Sequence, residues 1–313
     1  MGCGIPISNS SFFNFNCCQL CKSRFESTHS FTSYCRNPRG INIYVYPTAI
    51  VFCVIMFTNL IQTNLTTAYL GKNVEHFTWT ESTNDDAWEL ISEGAADGTL
   101  VVTDKQTAGK GRAGRKWGSV PGKSLIASMI IKSEIDSRLS GWFPLLTGVA
   151  IVDAFAELGL KVKLKWPNDI IMDNKKMGGI LCESRVLGKT LEWIVVGIGL
   201  NINEQENELP SGLQATSFFI EKSSSIQREL VLAKIINYLE PLYNELKINN
   251  DLYHLIKLWT DHCNHVNMTV KFEIENETLS GEFMGINSYG AAIININGNE
   301  KIYTSGDIHL IQP

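Results

Sequence analysis

The stretch from Thr103 to Gly118 (TDKQTAGKGRAGRKWG) concentrates positive charge on a flexible backbone. Glycine lets a backbone approach a ligand closely, and lysine and arginine bind carboxylates and phosphates. A solvated surface loop is the plain alternative, but a tryptophan among glycines and cations disfavours it. We therefore expect this segment, the cationic loop, to bind an anion. Its glycines and cations are Gly109, Lys110, Gly111, Arg112, Gly114, Arg115 and Lys116.

Two nucleotide-binding motifs occur in this region as bare strings, and their context excludes both. The spacing of Gly109, Gly111 and Gly114 matches the dinucleotide pattern, but RKWG follows where that fold needs an apolar helix. The tripeptide at 122–124 (GKS) resembles the end of a P-loop, but Trp117 occupies the position of the first glycine. Neither a Rossmann fold nor a P-loop is predicted.

A second motif, Lys165 to Asp169 (KWPND), follows an apolar strand-like run. Amide and carboxylate side chains at a tight turn can face a ligand, although Asn and Asp are also ordinary turn residues. Lys176 comes shortly afterwards and stands beside Lys175, so a plain surface lysine is its alternative interpretation. Taken alone, this segment is compatible both with a ligand-binding site and with an ordinary turn followed by a surface lysine.

Taken in order, these motifs closely resemble those of biotin protein ligases. The matching segments are Gln106–Trp117 (Q-x-A-G-[RK]-G-R-x-G-R-x-W), Lys165–Asp169 (K-W-P-N-D), Lys176–Glu183 (K-x-G-G-I-L-x-E) and Gly197–Asn201 (G-x-G-x-N). The tripeptide Ser82-Thr83-Asn84 resembles the biotin-pocket S-T-N of that family, and the resemblance covers residues 64 to 313. Lys110 stands where many relatives have arginine. Lysine keeps the positive charge but lacks the two parallel N–H donors of the guanidinium group.

The resemblance implies a two-step reaction that uses ATP, biotin and Mg²⁺. Biotin is first activated as biotinyl-5′-AMP with release of pyrophosphate, and is then transferred to a lysine of a biotin carrier domain, as in acetyl-CoA carboxylase. Two anions must meet in the first step, so cations are needed to cancel their repulsion. We assign Lys110 and Arg112 to the biotin carboxylate and the α-phosphate, and Arg115 to phosphate oxygens. Mg²⁺ is expected to bridge the pyrophosphate, and no protein metal site is predicted.

The remaining roles are also implied by the resemblance. Lys176 matches the essential lysine of the family, and Asp169 is the candidate to orient or deprotonate the acceptor lysine. With Arg112 they form the predicted catalytic set. Hydrogen bonds to the ureido ring are assigned to Ser82, Thr83, Asn84 and Gln106, and Gly178 and Gly179 are expected to let biotin lie close to the backbone. Gly109 and Gly111 are expected to let the loop close over the adenylate. Trp117 and Asn201 are expected to border the nucleotide, with Glu204–Thr216 as a mobile cover.

Alternating strand and helix signals after Gly71 must position these motifs. Apolar runs predict strands at Thr99–Thr103, Ser124–Lys132, Val162–Trp166, Gly179–Cys182 and Trp193–Asn201. Helical spacing predicts a helix from a capping box at Thr83 and Asp86 to Gly94, a buried helix over Ser140–Leu158, and a helix over Ile226–Leu246 that is interrupted at Pro241.

From Met268 onward the apolar period changes to two, and Asn297-Gly298 between apolar runs predicts a type I′ hairpin. The fold class is therefore α+β. The resemblance implies a mixed-sheet catalytic domain of the class II synthetase-like, lipoate-ligase type, followed by a small SH3-like β-barrel domain. We place an N-terminal extension at residues 1–60, the catalytic domain at 61–265 and the small domain at 266–313.

The N-terminal extension is cysteine-rich, and residues 1–39 carry no defensible period. Cys18-x-x-Cys21 has no second pair beside it, so metal binding is not predicted. Ile41–Ile61 is long and apolar enough to span a bilayer, but the basic residues before it would put the catalytic body outside the cytosol. Residues 1–39 are interpreted as disordered or as a targeting segment, and an anchor and a dispensable extension before Met56 also stay open. We expect a cytoplasmic protein, with organellar or membrane-tethered forms as alternatives.

The net charge and the motifs of the chain indicate which partners and functions to expect. A net charge of −5 gives no general attraction to nucleic acid, and no basic helix-turn-helix pattern is present. Repressor-type biotin ligases carry a winged helix where this chain has its apolar extension, so no nucleic acid partner is expected. A homodimer is left open. A lipoate-type protein ligase and a non-catalytic biotin-sensing module are the competing functions; the cationic loop disfavours the first, and Lys176 with Arg112 disfavours the second.

Overall fold

The computed structural model describes residues 33–36, 42–45, 56–249, 251–274 and 277–310. The chain divides into two compact units, Met1–Phe52 and Cys53–Pro313. In the first unit, strands β1 (Ser33–Arg36) and β2 (Asn42–Val45) pair antiparallel. The Cys18-x-x-Cys21 motif and most of the apolar run to Ile61 lie outside the described residues, so the predictions about targeting and anchoring stay predictions.

In the described part of the second unit, seven strands form one mixed sheet in the order β3-β4-β5-β9-β8-β7-β6. Strands β3 and β4 run parallel, and the other neighbouring strands pair antiparallel. The strands are β3 (Val74–Phe77), β4 (Leu100–Thr103), β5 (Leu125–Lys132), β6 (Lys163–Lys165), β7 (Asp169–Met172), β8 (Lys175–Leu187) and β9 (Thr190–Leu200). Each predicted strand is confirmed, although Gly179–Cys182 is only the middle of the longer β8.

The two faces of the sheet follow from alternation along β5 and β9. On one face, side chains such as Met129 and Ile198 join the main core against the helices. On the other face, Ile130 and Val195 pack beneath a single helix, while Ser128 and Gly197 occupy neighbouring positions on that face. Apolar residues therefore cover one face completely, and small or polar residues leave part of the other face open.

Six helices lie in the described part of the second unit: α1 (Thr58–Asn64), α2 (Thr83–Ser92), α3 (Trp142–Glu157), α4 (Phe218–Lys222), α5 (Arg228–Ile248) and α6 (Tyr253–His262). Among the described residues, the stretch Ser137–Glu157 is long and apolar enough to cross a membrane, but two thirds of it is buried in the fold. It contains α3, which packs against α5, α6 and β8. The predicted buried helix at Ser140–Leu158 is thereby confirmed as the core helix.

Helix α5 continues through Pro241, so the predicted interruption is wrong. Proline removes one helical N–H and crowds the carbonyl four residues earlier, which normally favours a break. Here the adjacent Glu240 is buried, and its carboxylate accepts hydrogen bonds from the backbone N–H groups of residues 68–70. Leu239 and Tyr243 are also buried in the core on either side of the proline. Tertiary packing therefore holds the helix together where local preference alone would end it.

The predicted capping box at the start of α2 is also wrong. Ser82 is the residue that precedes the helix, and its side chain makes no capping hydrogen bond. The Thr83 hydroxyl contacts Ser128 instead, at 2.7 Å. Asp86 accepts a hydrogen bond from the Thr80 hydroxyl, at 2.9 Å. The polar residues at this helix start are therefore engaged in contacts across the fold.

The small C-terminal domain is a five-stranded antiparallel sheet in the order β13-β12-β11-β10-β14. Its strands are β10 (Met268–Ile274), β11 (Glu277–Ile286), β12 (Ala292–Ile296), β13 (Asn299–Tyr303) and β14 (Asp307–Leu310). Asn297 and Gly298 have φ values of +53° and +84°, which confirms the predicted hairpin turn. The α+β class with a β domain at the end is confirmed.

Two buried indoles attach the small domain to the catalytic domain. The Trp142 indole N–H donates to the Ser288 carbonyl at 2.9 Å, and that of Trp166 donates to the Gly290 carbonyl at 3.1 Å. Both tryptophans are almost completely buried. The Trp166 ring also packs against Phe272 of β10, with ring centroids 6.2 Å apart. The two domains therefore share one packed interface.

Candidate active site

A cavity of about 540 Å³ opens on the uncovered face of the sheet, a size typical of small-molecule sites. Strands β5, β8 and β9 form its floor, and the start of α2, the cationic loop and β14 form its walls. The sequence-predicted site residues that line it are Ser82, Thr83, Asn84, Gln106, Lys110, Gly111, Arg112, Arg115, Trp117, Asp169, Lys176, Gly179 and Asn201. Segments distant in the chain thus meet in one place.

Gly109 and Gly178 do not line the cavity. A Cβ at Gly109 would lie 2.5 Å from the Trp117 carbonyl oxygen, and one at Gly178 would lie 2.7 Å from the Gly199 carbonyl oxygen. These glycines let the cationic loop and strand β8 pack closely against their neighbours. The predicted close approach of biotin to Gly178 and the predicted role of Gly109 in closure of the loop stay predictions.

The cationic loop is anchored by acidic residues on both sides. Lys110 pairs with Asp85 of α2 at 2.5 Å, and Arg115 pairs with Asp307 of β14 at 2.9 Å. Arg112 donates to the Gly306 carbonyl at 3.3 Å and lies 3.8 Å from Asp307. In this conformation the ammonium of Lys110 is therefore turned toward a carboxylate on the protein itself, and binding a phosphate there requires it to leave Asp85.

Asp169 lies between two lysines at the cavity wall. Its carboxylate is 2.6 Å from the Lys176 ammonium and 3.1 Å from that of Lys165. Burial acts to raise the pKa of Asp169, but the two ammonium groups outweigh burial, and the pKa lies below its ordinary value. The trio keeps a net positive charge, and this favours an anionic ligand beside Lys176.

A buried polar network lies under the start of α2. Thr83 and Asn84 both contact Ser128 of β5 at 2.7 Å, and the Asn84 amide donates to Glu183 of β8 at 2.7 Å. The Gln106 side-chain oxygen accepts the Thr83 backbone N–H at 3.0 Å. Residues of the S-T-N segment are therefore fixed by groups on three other elements.

Trp117 covers part of the cavity floor. A Cβ at Gly199 would lie 2.6 Å from the Trp117 ring, so only glycine lets the ring lie this close. The indole nitrogen is buried, with no hydrogen-bond partner among the described residues. The Lys176 ammonium lies 5.8 Å from the ring centroid, within the range of a cation–π contact.

The segment predicted as a nucleotide cover runs along the cavity beside Lys176. Its backbone pairs with that of Lys176 through two hydrogen bonds, from the Lys176 N–H to the Gln214 carbonyl and from the Thr216 N–H to the Lys176 carbonyl. The Asn201 amide donates to the Thr216 carbonyl at 2.9 Å. Asn201 therefore attaches the cover to β9, a contact that the sequence did not predict.

Comparison with known proteins identifies the family of the chain. Residues 76–201 match the Biotin/lipoate A/B protein ligase family, and residues 265–310 match the Biotin protein ligase C terminal domain. A bifunctional ligase/repressor BirA of Bacillus subtilis is 33% identical over 254 residues, which cover 80% of this chain and 78% of that protein. The chain belongs to the biotin protein ligase family.

Other members of the biotin protein ligase family extend the likeness to structure and to other organisms. The Aquifex aeolicus biotin protein ligase solved in complex with biotin and ATP has a TM-score of 0.66 and 25% identity, covering 77% of this chain and all of that chain (100%). A biotin--[acetyl-CoA-carboxylase] ligase of Mycobacterium tuberculosis is 26% identical, covering 73% of this chain and 85% of that protein. The predicted family and fold class, including the SH3-like C-terminal domain, are confirmed.

Sequence reasoning missed several residues that shape the site in this member of the biotin protein ligase family. Ser128 is a lone polar residue in an apolar strand, a signal that could have been used. Lys165 and Glu183 stood inside recognised motifs without an assigned role. Asp307 and Ile308 carry no local signal, because only the docking of the small domain brings β14 to the cavity.

Proposed function

We propose that this chain is an ATP-dependent biotin protein ligase that forms biotinyl-5′-AMP and pyrophosphate, then transfers biotin to a lysine of a biotin carrier domain. The observation that carries the proposal is the convergence of Lys176, Arg112 and Asp169 on one cavity beside the buried S-T-N segment. The complex of the Aquifex aeolicus relative with biotin and ATP supports the choice of ligands.

For the first step, the main obstacle is repulsion between the biotin carboxylate and the α-phosphate. Lys176 and Arg112 lie on the cavity wall with a quarter to two fifths of their side chains exposed, Arg112 at 25% and Lys176 at 40%. Cations held in such a partly dry site stabilise developing negative charge more strongly than cations in water. Of these two cations, Lys176 is the one that pairs with Asp169. When a nucleotide binds, a phosphate oxygen would replace the Asp169 carboxylate as the partner of Lys176.

For the ring end of biotin, the start of α2 supplies hydrogen-bonding groups in a buried setting. Ser82 and Thr83 line the cavity and are 2% and 3% exposed. Gln106 uses its side-chain oxygen on the Thr83 backbone, which keeps both residues in place. Desolvated polar groups of this kind give specificity, because a ligand without matching groups leaves them unpaired.

For the second step, we assign Asp169, which lines the cavity beside Lys176, to the acceptor lysine. Its lowered pKa keeps it ionised near neutral pH but makes it a weak base. Orientation of the acceptor amine is therefore the role that its surroundings support, and Lys165 keeps the carboxylate in place when Lys176 turns to a ligand. The name of the Mycobacterium tuberculosis relative supports a carboxylase carrier domain as the acceptor.

The nucleotide would lie between Trp117 and the cover segment, with phosphates toward the cationic loop. Mg²⁺ is proposed to be held mainly by the phosphates, as is usual for this ion. Asp169 and Asp307 are engaged by basic side chains, which leaves the phosphates as the main donors for the ion. Bound there, Mg²⁺ would neutralise charge on the departing pyrophosphate. A cytoplasmic location completes the proposal, and a homodimer is left open.

The decisive test is incubation of the purified chain with labelled biotin, ATP and a biotin carrier domain. Transfer of one biotin to the carrier lysine, dependent on ATP and Mg²⁺, is the expected result, measured by intact mass. Replacing biotin with lipoate tests the related ligase activity in the same assay. Biotin binding without transfer would instead support a sensing module, and lipoate transfer in place of biotin would overturn the proposed substrate.

A further inference from the structure

Behind the cavity, four side chains form a continuous hydrogen-bond chain. Its links are Thr83 to Ser128, Ser128 to Asn84, and Asn84 to Glu183, each with heavy atoms 2.7 Å apart. Thr83, Ser128 and Asn84 are 3%, 0% and 4% exposed, so water has little access to them. Thr83, at one end, and Asn84 line the cavity, whereas Glu183 terminates the chain at the other end and does not line it. We name these residues the buried relay.

The donors and acceptors available in the buried relay allow only one arrangement of its hydrogen bonds, which we call its direction. The Asn84 amide nitrogen faces the Glu183 carboxylate and, at 3.4 Å, the Leu181 carbonyl, and these groups only accept. The Asn84 oxygen therefore faces Ser128, which must use its single hydrogen to donate to it. Ser128 can then only accept from Thr83. A collision of any Cβ at Gly197 with the Asn84 oxygen shows how closely that amide is packed.

This direction commits the Thr83 hydroxyl hydrogen. The hydroxyl also lies 3.4 Å from the Gln106 oxygen, but one hydrogen cannot serve both contacts, and the 2.7 Å contact to Ser128 has the better geometry. Toward the cavity, Thr83 is left with lone pairs. It therefore accepts hydrogen bonds from a ligand and does not donate to it.

We propose that Glu183 is a positioning residue which, through Asn84 and Ser128, makes Thr83 a dedicated hydrogen-bond acceptor and so selects ligands that present an N–H at that point. The inference rests on the proposed function, in which the ligand is biotin with its cyclic urea. A dithiolane or carbonate ring carries no N–H and leaves the Thr83 lone pairs unpaired. Glu183 touches no ligand itself, since it does not line the cavity.

Removal of the terminal acceptor should weaken the direction of the buried relay. In Glu183→Met the Asn84 amide loses its strong acceptor, and the remaining 3.4 Å contact to Leu181 holds it weakly. The Asn84 oxygen is then held less firmly against Ser128, and a Ser128 hydrogen that turns to Thr83 leaves the Thr83 hydrogen for Gln106 or for the cavity. Glu183→Gln retains an oxygen acceptor and should preserve the original direction. Ser128→Ala interrupts the relay in the middle and should remove the preference.

The test is calorimetric binding to the full-length chain of biotin and of an analogue with a cyclic carbonate in place of the cyclic urea. The measured quantity is the affinity ratio, biotin over carbonate. We expect Glu183→Met to lower this ratio about threefold, as partial loss of one buried hydrogen bond implies, with ATP affinity unchanged. Glu183→Gln should keep the wild-type ratio. Glu192→Met, on β9 outside the cavity, is the matched control.

The outcomes separate this inference from the proposed function. Wild-type protein that fails to bind biotin overturns both. Wild-type protein that binds biotin, with an unchanged ratio in Glu183→Met, overturns the relay and leaves the ligase proposal standing. Should Glu183→Met not fold, as judged by thermal melting, Ser128→Ala decides the matter: a ratio equal to wild type refutes the relay, and a lowered ratio supports it.

Discussion

Lys176→Gln offers the sharpest test of the proposed catalytic site. The ammonium lies 2.6 Å from Asp169 in a side chain that is 40% exposed, and the amide of glutamine removes the charge while keeping a polar group. A fully buried electrostatic group of this kind contributes a factor of about 10² to 10³ in rate. Because Lys176 is partly solvated, we expect the lower end, about 10², or roughly 2.7 kcal/mol in the barrier.

Stability should change little in the same variant. Asp169 keeps Lys165 at 3.1 Å, so its carboxylate does not become unpaired. A partly exposed ion pair contributes at most about 1 kcal/mol to the free energy of unfolding. A large loss of rate with a nearly unchanged melting temperature is therefore expected.

The assay compares ATP–pyrophosphate exchange with calorimetric biotin binding. A charge that acts in the transition state should slow exchange by about a hundredfold and weaken biotin binding only a few-fold. Lys175→Gln is the matched control, because Lys175 is exposed and does not line the cavity. Equal losses in exchange rate and biotin affinity would refute the reasoning, as would an equal effect of the control.

Three further predictions follow from the described contacts. A chain starting at Met56 should retain ligase activity, because the Met56 N–H already bonds to Asp104 at 2.9 Å inside the fold; a folded but inactive truncation would contradict this. Arg112→Gly should release the adenylate faster and label bystander lysines, since Arg112 ties the cationic loop to Gly306; slow release without bystander labelling would exclude a clamping role. Asp104→Asn should cost about 3 kcal/mol at pH 7, because Asp104 and Arg228 form an ion pair at 2.9 Å with both side chains 2% exposed. Despite burial, His76 and Arg228 lower the pKa of Asp104, so its contribution is present above the unfolded value of about 3.9 and is lost as pH falls through the folded value. Urea unfolding should accordingly show the difference shrinking below about pH 4, and a constant difference would contradict it.

The sequence could predict the floor and the charges of the site because these depend on local pattern. Gly197 and Gly199 alternate with core residues along β9, so period two alone predicts that both glycines face the same side. The cationic loop could be predicted from its composition and from the spacing of its glycines alone. The turn at Asn297 was predictable for the same reason, since two residues that tolerate positive φ nearly specify it.

The sequence could not predict contacts that tertiary structure creates. Pro241 lies inside a continuous helix because distant residues bury its neighbours, and Thr83 contacts Ser128, 45 positions away, instead of capping its own helix. The acid partners of the loop, Asp85 and Asp307, come from separate domains. Each of these outcomes depends on which surfaces meet, which no local window contains.

The buried indoles of Trp142 and Trp166 bear on how the molecule melts. Each donates a hydrogen bond across the interface to the small domain, and separating the domains would expose both rings and leave both donors without those partners. Loss of the small domain would also remove the aspartate that holds Arg115. The two domains should accordingly behave as one cooperative unit, with a single calorimetric transition whose heat capacity change reflects the whole of residues 56–310 and not the sum of two separable steps.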